Sequence, residues 1–175
     1  TITVQDTTAP IATAQDITVQ LDASGNASIT GAQLDNGSTA NCGSLTFSVD
    51  ITSFDCTNIG ANTVVFTAQD DSGLSSTASA TVTVDDNVNP TAIAQDITVQ
   101  LDATGAASIT GAQVDNGSND ACGIQTTTVA PDSFNCSNVG ANTVTITVTD
   151  NNNNVSTATA TVTIEDNINP TAICQ

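Results

Sequence analysis

The 175-residue sequence predicts an all-β chain of tandem β-sandwich modules, 80 residues each, arranged as a linear array. Three observations carry that prediction. The chain aligns with itself at an offset of 80 residues, its apolar residues alternate with a period of two, and its composition suits strands. Thr, Val, Ile and Ala abound, while the aromatics are only Phe47, Phe54, Phe66 and Phe134. Such a set favours a pleated, half-buried surface over a helix bundle. Every acid except Glu165 is Asp, and Asp and Asn prefer turns to element interiors.

The repeat sets the domain organisation. PIATAQDITVQLDASGNASITGAQLDNGS from Pro10 aligns without a gap with PTAIAQDITVQLDATGAASITGAQVDNGS from Pro90. SFDCTNIGANTV from Ser53 likewise matches SFNCSNVGANTV from Ser133, and PTAICQ from Pro170 opens a third copy. Residues 1–9 therefore read as the tail of a preceding repeat and its linker, 10–89 and 90–169 as two complete modules, and 170–175 as the start of the next. A unit of this length can close its own small sandwich, so modules with nearest-neighbour contacts are expected.

The strands follow in order. Ile17, Val19 and Leu21 alternate with Asp16, Thr18, Gln20 and Asp22. Leu45, Phe47, Val49 and Ile51 form a second alternation, which the aligned segment 125–131 largely loses. Val64, Phe66 and Ala68, then Ala80, Val82 and Val84, make the final pair, with Val144, Ile146 and Val148 echoing it in the second module. That is strand alternation with one face buried. QDDSG at 69–73 and DNNNN at 150–154 read as the hairpin turns. Turn signals recur often enough for roughly seven short strands per module, the pattern of an immunoglobulin-like sandwich. No stretch carries a helical apolar stripe.

Charge excludes whole classes of function. Eighteen acids stand against no Lys, Arg or His, a formal charge of -18. That leaves no base for a Ser or Cys nucleophile, no P-loop Lys, no Schiff-base Lys and no basic footprint for nucleic acid. Nucleic acid and anionic membranes should repel the chain. No apolar run reaches transmembrane length, so no membrane insertion is expected in this segment. Paired carboxylates such as Asp70–Asp71 and Asp85–Asp86 recur in like loops without a distinct cleft, so no enzymatic activity is expected.

Cys42 and Cys56 share their spacing with Cys122 and Cys136, and the periodicity favours pairing within each module, Cys42 with Cys56 and Cys122 with Cys136. Each such loop would stabilise its module by about 3 kcal/mol. Zinc is disfavoured because two thiols with no His leave the ligand set incomplete. Disulfides imply an oxidising, extracellular setting, secreted or attached to a cell surface. Cys174 aligns with Ala14 and Ala94 and is left without a partner in this stretch.

The motifs PTAxxQDITVxLD, DNGSxxxCG, SFxCxNxGxNTV and STxxATVTVxDNxxPTA together resemble hyalin-type (HYR-like) and related immunoglobulin-like repeats, which form long arrays on secreted bacterial surface proteins. The resemblance covers essentially the whole chain. It implies a spacer in an adhesin stalk or surface fibre, with neighbouring repeats, and other copies of the fibre laterally, as partners. It also implies a second Cys pair at the positions of Ala14 and Ala78, absent from both modules.

The junctions Asp85-Asp86-Asn87-Val88-Asn89-Pro90 and Glu165-Asp166-Asn167-Ile168-Asn169-Pro170 resemble the cadherin-type linker in which Asp and Asn oxygens bind Ca²⁺. Such oxygens are the hard ligands Ca²⁺ requires. On that resemblance Asp150 and Asn152 complete a shell with Asp85, Asp86, Asn87 and Asn89, and Asp70 and Asp71 face Asp6. Asp166, Asn167 and Asn169 would serve the following junction. The same residues also suit plain turns and solvated surface. The linker 5–10 lacks most ligands, so a weaker site or none is expected there. Asn26, Asn36, Asn116, Asn135 and Asn154 head glycosylation sequons. A competing function is ligand or glycan binding through loops 35–52 and 115–132, where the copies differ most; with no Trp or Tyr, stacking on sugars would fall to Phe.

Overall fold

The computed structural model describes residues 1–169. The expected start of a third repeat at 170–175, with Cys174, lies outside the described residues. The chain divides into two compact units, one spanning Thr1–Val88 and the other starting at Asn89.

In the first unit six strands appear: β1 (Ile17–Gln20), β2 (Asn26–Ser28), β3 (Leu45–Val49), β4 (Ser53–Asp55), β5 (Gly60–Asp70) and β6 (Ser75–Asp85). The main sheet has the order β1-β6-β5-β3, and β2 pairs with β4 in a second, smaller sheet. Only β1 runs parallel to its neighbour, with Ile17 opposite Val82 and Gln20 opposite Asp85. The long β5–β6 hairpin is antiparallel, from Gly60 opposite Val84 to Gln69 opposite Ser75. The second unit repeats this plan with β7 (Ile97–Gln100), β8 (Ala106–Ser108), β9 (Ile124–Ala130), β10 (Ser133–Asn135), β11 (Gly140–Asp150) and β12 (Val155–Glu165).

The all-β prediction holds, with three local differences. Among the described residues each unit has six strands where roughly seven were expected. One helical turn, α1 (Gly31–Leu34) or α2 (Gly111–Val114), fills a segment too short for any helical periodicity to show. And 125–131, with little alternation, still lies mostly within β9, because an edge strand is held by main-chain bonds to β11 whatever its side chains. A register shift at Thr149/Asp150 absorbs its irregularity.

The core sits where the alternation put it. Val64, Phe66 and Ala68 of β5 and Ala80, Val82 and Val84 of β6 are buried, matched by Val144, Ile146, Val148, Ala160, Val162 and Ile164. Phe47 packs against Phe66 with ring centroids 5.5 Å apart. The helical turn lids this face by inserting Leu34 or Val114, each fully buried. It lies so close to the sheet that a Cβ on Gly31 would come 2.6 Å from the Phe47 carbonyl carbon, and one on Gly111 2.3 Å from the Thr127 oxygen.

Side chains of the repeated motifs complete the frame. Asp16 and Asp96 accept from the Thr81 and Thr161 amides (2.6 and 2.7 Å) just where the parallel strand begins. In the NxGxN motif the Asn62 amide donates to the Asn58 and Gly60 carbonyls (2.6 and 3.0 Å), and Asn142 does the same to Asn138 and Gly140. These bonds fasten the turn leading into the long hairpin. Much of what makes the repeat recognisable is therefore scaffold.

Candidate functional site

Each module has two poles, defined by the hairpin. The entry pole holds the β5–β6 turn, Pro10, whose carbonyl accepts from the Ser76 hydroxyl, and the residues just before β3, since Leu45 lies opposite Asp70. The exit pole holds Gly60, the end of β6 and the Asp22–Asn26 turn, where the Leu21 amide donates to the Asp85 carbonyl.

At the first entry pole, Asp70 is 5% exposed. Its Oδ1 accepts from the Ser72 and Leu74 amides (2.8 and 3.0 Å), whereas its Oδ2 is enclosed with no hydrogen-bond partner. Upstream, Asp6 accepts from the Thr8 amide through Oδ1 (2.9 Å), and its Oδ2 too is enclosed and without a partner. Asp71 is spoken for: the Ser44 amide and hydroxyl occupy its two oxygens (2.9 and 2.8 Å) and hold its carboxyl below the usual range. An enclosed carboxylate oxygen without a donor is costly, and this chain has no side-chain cation to offset it.

At the second entry pole the same turn is better satisfied. Asp150 is fully buried; its Oδ1 takes the Asn152 and Asn154 amides (both 2.8 Å) and its Oδ2 takes the Asn154 side-chain amide (2.9 Å). Leu74 stands where Asn154 does, which is why Asp70 lacks that donor. The open acceptor here is the Asn152 Oδ1, enclosed with no partner. Asp120, which sequence reasoning passed over, adds a half-buried carboxylate whose Oδ1 accepts from the Cys122 amide (2.7 Å). The signal was available in SNDACG against STANCG, where Asp120 replaces Ala40.

The linker residues divide by role. Asp85 accepts from Gln20 (3.4 Å) and Asn87 donates to the Gln20 side-chain oxygen (2.8 Å), so both tie the chain to β1. Glu165 and Asn167 do the same with Gln100 (2.5 and 2.7 Å). Asp86 and Asp166 each cap their own turn, accepting from the Val88 and Ile168 amides (3.0 and 3.1 Å). Asp86 is 7% exposed, while Asn89, Asp166 and Asn169 are exposed. Asp166, Ile168 and Asn169 line a shallow recess with Asp102, Gly105 and Cys136.

The cysteine pairing read from the spacing is overturned. Cys42 and Cys136 are free, while Cys56 and Cys122 are disulfide-bonded. The topology explains why. Cys42 lies just before β3 at the entry pole, and Cys56 opens the 3-10 turn (Cys56–Asn58) that leads into Gly60 at the exit pole. The 11 residues of β5 separate these ends by about 35 Å, whereas a disulfide tolerates roughly 7 Å between Cα atoms.

Of the sequons, Asn36 and Asn116 are exposed on the loop after the helical turn. Asn26 and Asn135 are exposed but engaged, Asn26 donating to the Ser24 carbonyl (3.0 Å) and Asn135 accepting from the Ser137 amide (2.8 Å). Asn154 is half-buried and bonded to Asp150. The loop that opens 35–52 is pinned, with Ile11 and Ala14 bridged to Thr39 and Asp35. Phe47, the one aromatic in that loop region, faces Phe66 rather than offering a stacking surface.

No protein-family model and no curated protein sequence matches the chain. Among solved structures, the chain is similar to the first two cadherin repeats of human mucin-like protocadherin, at 14% identity over 90% of this chain and 98% of that one, TM-score 0.44. A human protocadherin-24 fragment gives 12% identity over 92% and 100%, TM-score 0.45, and titin domains I67–I69 give 8% over 89% and 65%, TM-score 0.38. Among the described residues no helix is long and apolar enough to cross a membrane.

Proposed function

We propose that this chain is a spacer segment of a long extracellular fibre or adhesin stalk of the hyalin-type repeats its motifs resemble, with Ca²⁺ bound at the entry poles of its modules. The observation that carries the reading is the pair of enclosed, donor-less carboxylate oxygens on Asp6 and Asp70 in a chain without Lys, Arg or His. The donor set fits a hard cation: Asp6 and Asp70 at the first pole, and Asp120, Asp150 and Asn152 at the second. Asp85 and Asn87, engaged with Gln20, hold the linker's course. The first linker thus keeps one enclosed ligand, Asp6, although it lacks most of the Asn-rich sequence of the second. Bonded cysteines support an oxidising compartment. On this reading the role is mechanical.

Thermal unfolding in EDTA and in millimolar Ca²⁺, with scattering on the same samples, tests this. Ca²⁺ at 100 times its dissociation constant stabilises by about 2.7 kcal/mol, which for modules of this size raises Tm by roughly 10–20 °C. The particle should lengthen or stiffen in parallel. Identical melting and scattering in both buffers would remove Ca²⁺ from the function.

A further inference from the structure

We infer that the outward face of the main sheet in the second unit is an ice-adsorbing surface, built from threonines in a two-dimensional grid. The inference goes beyond the spacer reading and does not depend on Ca²⁺. It starts from the parity of the long hairpin. The inward residues of β11 and β12 are buried core, so the residues between them point to the other side. On β11 these are Thr143, Thr145, Thr147 and Thr149, and on β12 Thr157, Thr159, Thr161 and Thr163. The register sets Thr143 opposite Thr161, Thr145 opposite Thr159 and Thr147 opposite Thr157. Directly paired residues share a face, so Thr128 beside Thr147, Thr126 beside Thr149 and Thr98 beside Thr163 extend the grid onto β9 and β7.

Alternate residues of a strand recur every about 6.7 Å, and neighbouring strands lie about 4.8 Å apart. These two repeats approach those of the water oxygens on a prism face of hexagonal ice. Each Thr offers such a lattice a hydroxyl that bonds to its waters and a methyl that sits between them. Branching at Cβ leaves the side chain few rotamers, so both groups are preset and little entropy is lost on adsorption. None of the rung hydroxyls has a hydrogen-bond partner among the described residues, so all of them face outward unspent. No charged side chain interrupts the grid. Acids stand only at its margins: Asp96, which accepts from the Thr161 amide (2.7 Å), and Glu165, which accepts from the Gln100 side chain (2.5 Å). In a chain of 18 acids, a neutral face of this regularity suits an uncharged lattice.

Two other occupants suit the face less well. A second copy would press two chains of like charge together over about 500 Å² per partner, judged from the strand dimensions, where a stable interface takes about 800 Å². A crystalline polysaccharide is gripped by stacking on aromatic rings, and this face carries none. Sheet twist of about 20–25° per strand turns β7 and β9 off the plane, so adsorption centres on the hairpin. The first unit carries the same face in diluted form. Thr63 lies opposite Thr81 and Thr67 opposite Thr77, but Val65 and Ser79 break the rung between them. The second unit is therefore the stronger adsorber, and repetition along an array multiplies its contacts without new chemistry.

Partition into ice tests this. The full chain is dissolved with a globular bystander protein, an ice shell is grown slowly in the solution, and protein in the ice and in the liquid is compared. The expected result is enrichment of this chain in the ice over the bystander. Thr145→Tyr combined with Thr159→Tyr places two bulky, uncharged, strand-favouring side chains on the central rung. That variant should keep the parent Tm and fall to the bystander's level, whereas Ala103→Tyr, on an exposed turn outside the grid, should partition like the parent. Val65→Thr combined with Ser79→Thr completes the broken rung of the first unit and should raise incorporation. A parent chain left in the liquid with the bystander would overturn the inference, as would undiminished incorporation of the folded Tyr variant or no gain from the completed rung. A dimer in sedimentation that the Tyr variant abolishes would assign the face to a second copy and overturn it as well.

Discussion

Asp70 and Asp150 occupy the same place in the two modules, yet their second oxygens differ in company. Asp150 Oδ2 receives the Asn154 side-chain amide, while Asp70 Oδ2 is enclosed without a donor because Leu74 replaces that Asn. Asp70→Asn removes a charge that nothing in the fold offsets. In EDTA it should melt at or above the parent chain, and in Ca²⁺ it should lose most of the cation-dependent rise. Asp150→Asn sets two amides face to face and should cost about 1–3 kcal/mol in EDTA, the loss of one satisfied buried bond. Urea titrations of both variants check the contrast, and equal losses would deny it. Carboxylates with satisfied oxygens on the turns behave differently. Asp55 and Asp102 are held below the usual range chiefly by the Thr57 and Thr104 side chains, and Asp35 and Asp115 chiefly by the Ser38 and Ser118 side chains. A carboxyl depressed on folding contributes stability that is complete above its unfolded value, near 3.9, and lost as pH falls through the lower folded value. Urea midpoints at 0.15 M salt should therefore be level from pH 7 to about 5 and decline below about pH 4. A midpoint that kept rising on acidification to pH 3 would mean that relief of repulsion among the carboxylates outweighs these bonds.

Among the elements, the helical turn is the tightest fit. Because a Cβ at Gly31 would meet main chain rather than a flexible side chain, Gly31→Ala must push α1 off β3 and loosen Leu34. A loss of about 1–3 kcal/mol is expected, with Gly111→Ala at least as costly since its approach is closer. Melting of the two variants in EDTA measures it, and unchanged Tm values would show that the turn can move freely. The β5–β6 hairpin could be read directly from sequence, since one buried face enforces a period of two over 11 residues per strand. The helical turn could not, as four residues complete barely one turn. β9 was hidden because an edge strand of Ile-Gln-Thr-Thr-Thr is held through its backbone, which leaves no trace in side-chain alternation. The cysteine spacing misled for a different reason: a separation of 14 residues does not reveal that β3 runs between the two positions and carries Cys42 and Cys56 to opposite poles. The site was partly legible. Asp70 and Asp150 could be placed from the hairpin turn, but their unequal satisfaction depends on a single exchange, Leu74 for Asn154, whose meaning appears only once the turn is built.

At the scale of the whole molecule the charge is unusual in having one sign. Most proteins carry attractive and repulsive pairs, so salt screens both and its net effect on stability is small or mixed. Here 18 carboxylates face no side-chain cation, and side-chain Coulomb interactions between them can only repel. Folding concentrates that charge, because it brings together carboxylates the unfolded chain keeps apart. Raising NaCl from 10 mM to 150 mM shortens the screening length from about 30 Å to 8 Å, which spans the distances between loops of one module. In EDTA, Tm should therefore rise with NaCl from the lowest concentration upward, and the rise should flatten once screening is shorter than the spacing between neighbouring carboxylates. Ca²⁺ should act at concentrations far too low to screen, because it would bind enclosed oxygens rather than thin a diffuse field. A Tm that fell with NaCl in EDTA would mean that attractive charge pairs stabilise the fold, which a chain without side-chain cations cannot supply. If millimolar Ca²⁺ did no more than NaCl of equal ionic strength, the enclosed oxygens of Asp6 and Asp70 would not be ligands, and the poles would be solvated turns. A sharp Ca²⁺ response superimposed on a gradual NaCl response is the pattern that bound ions at the module ends, in an otherwise self-repelling array, must produce.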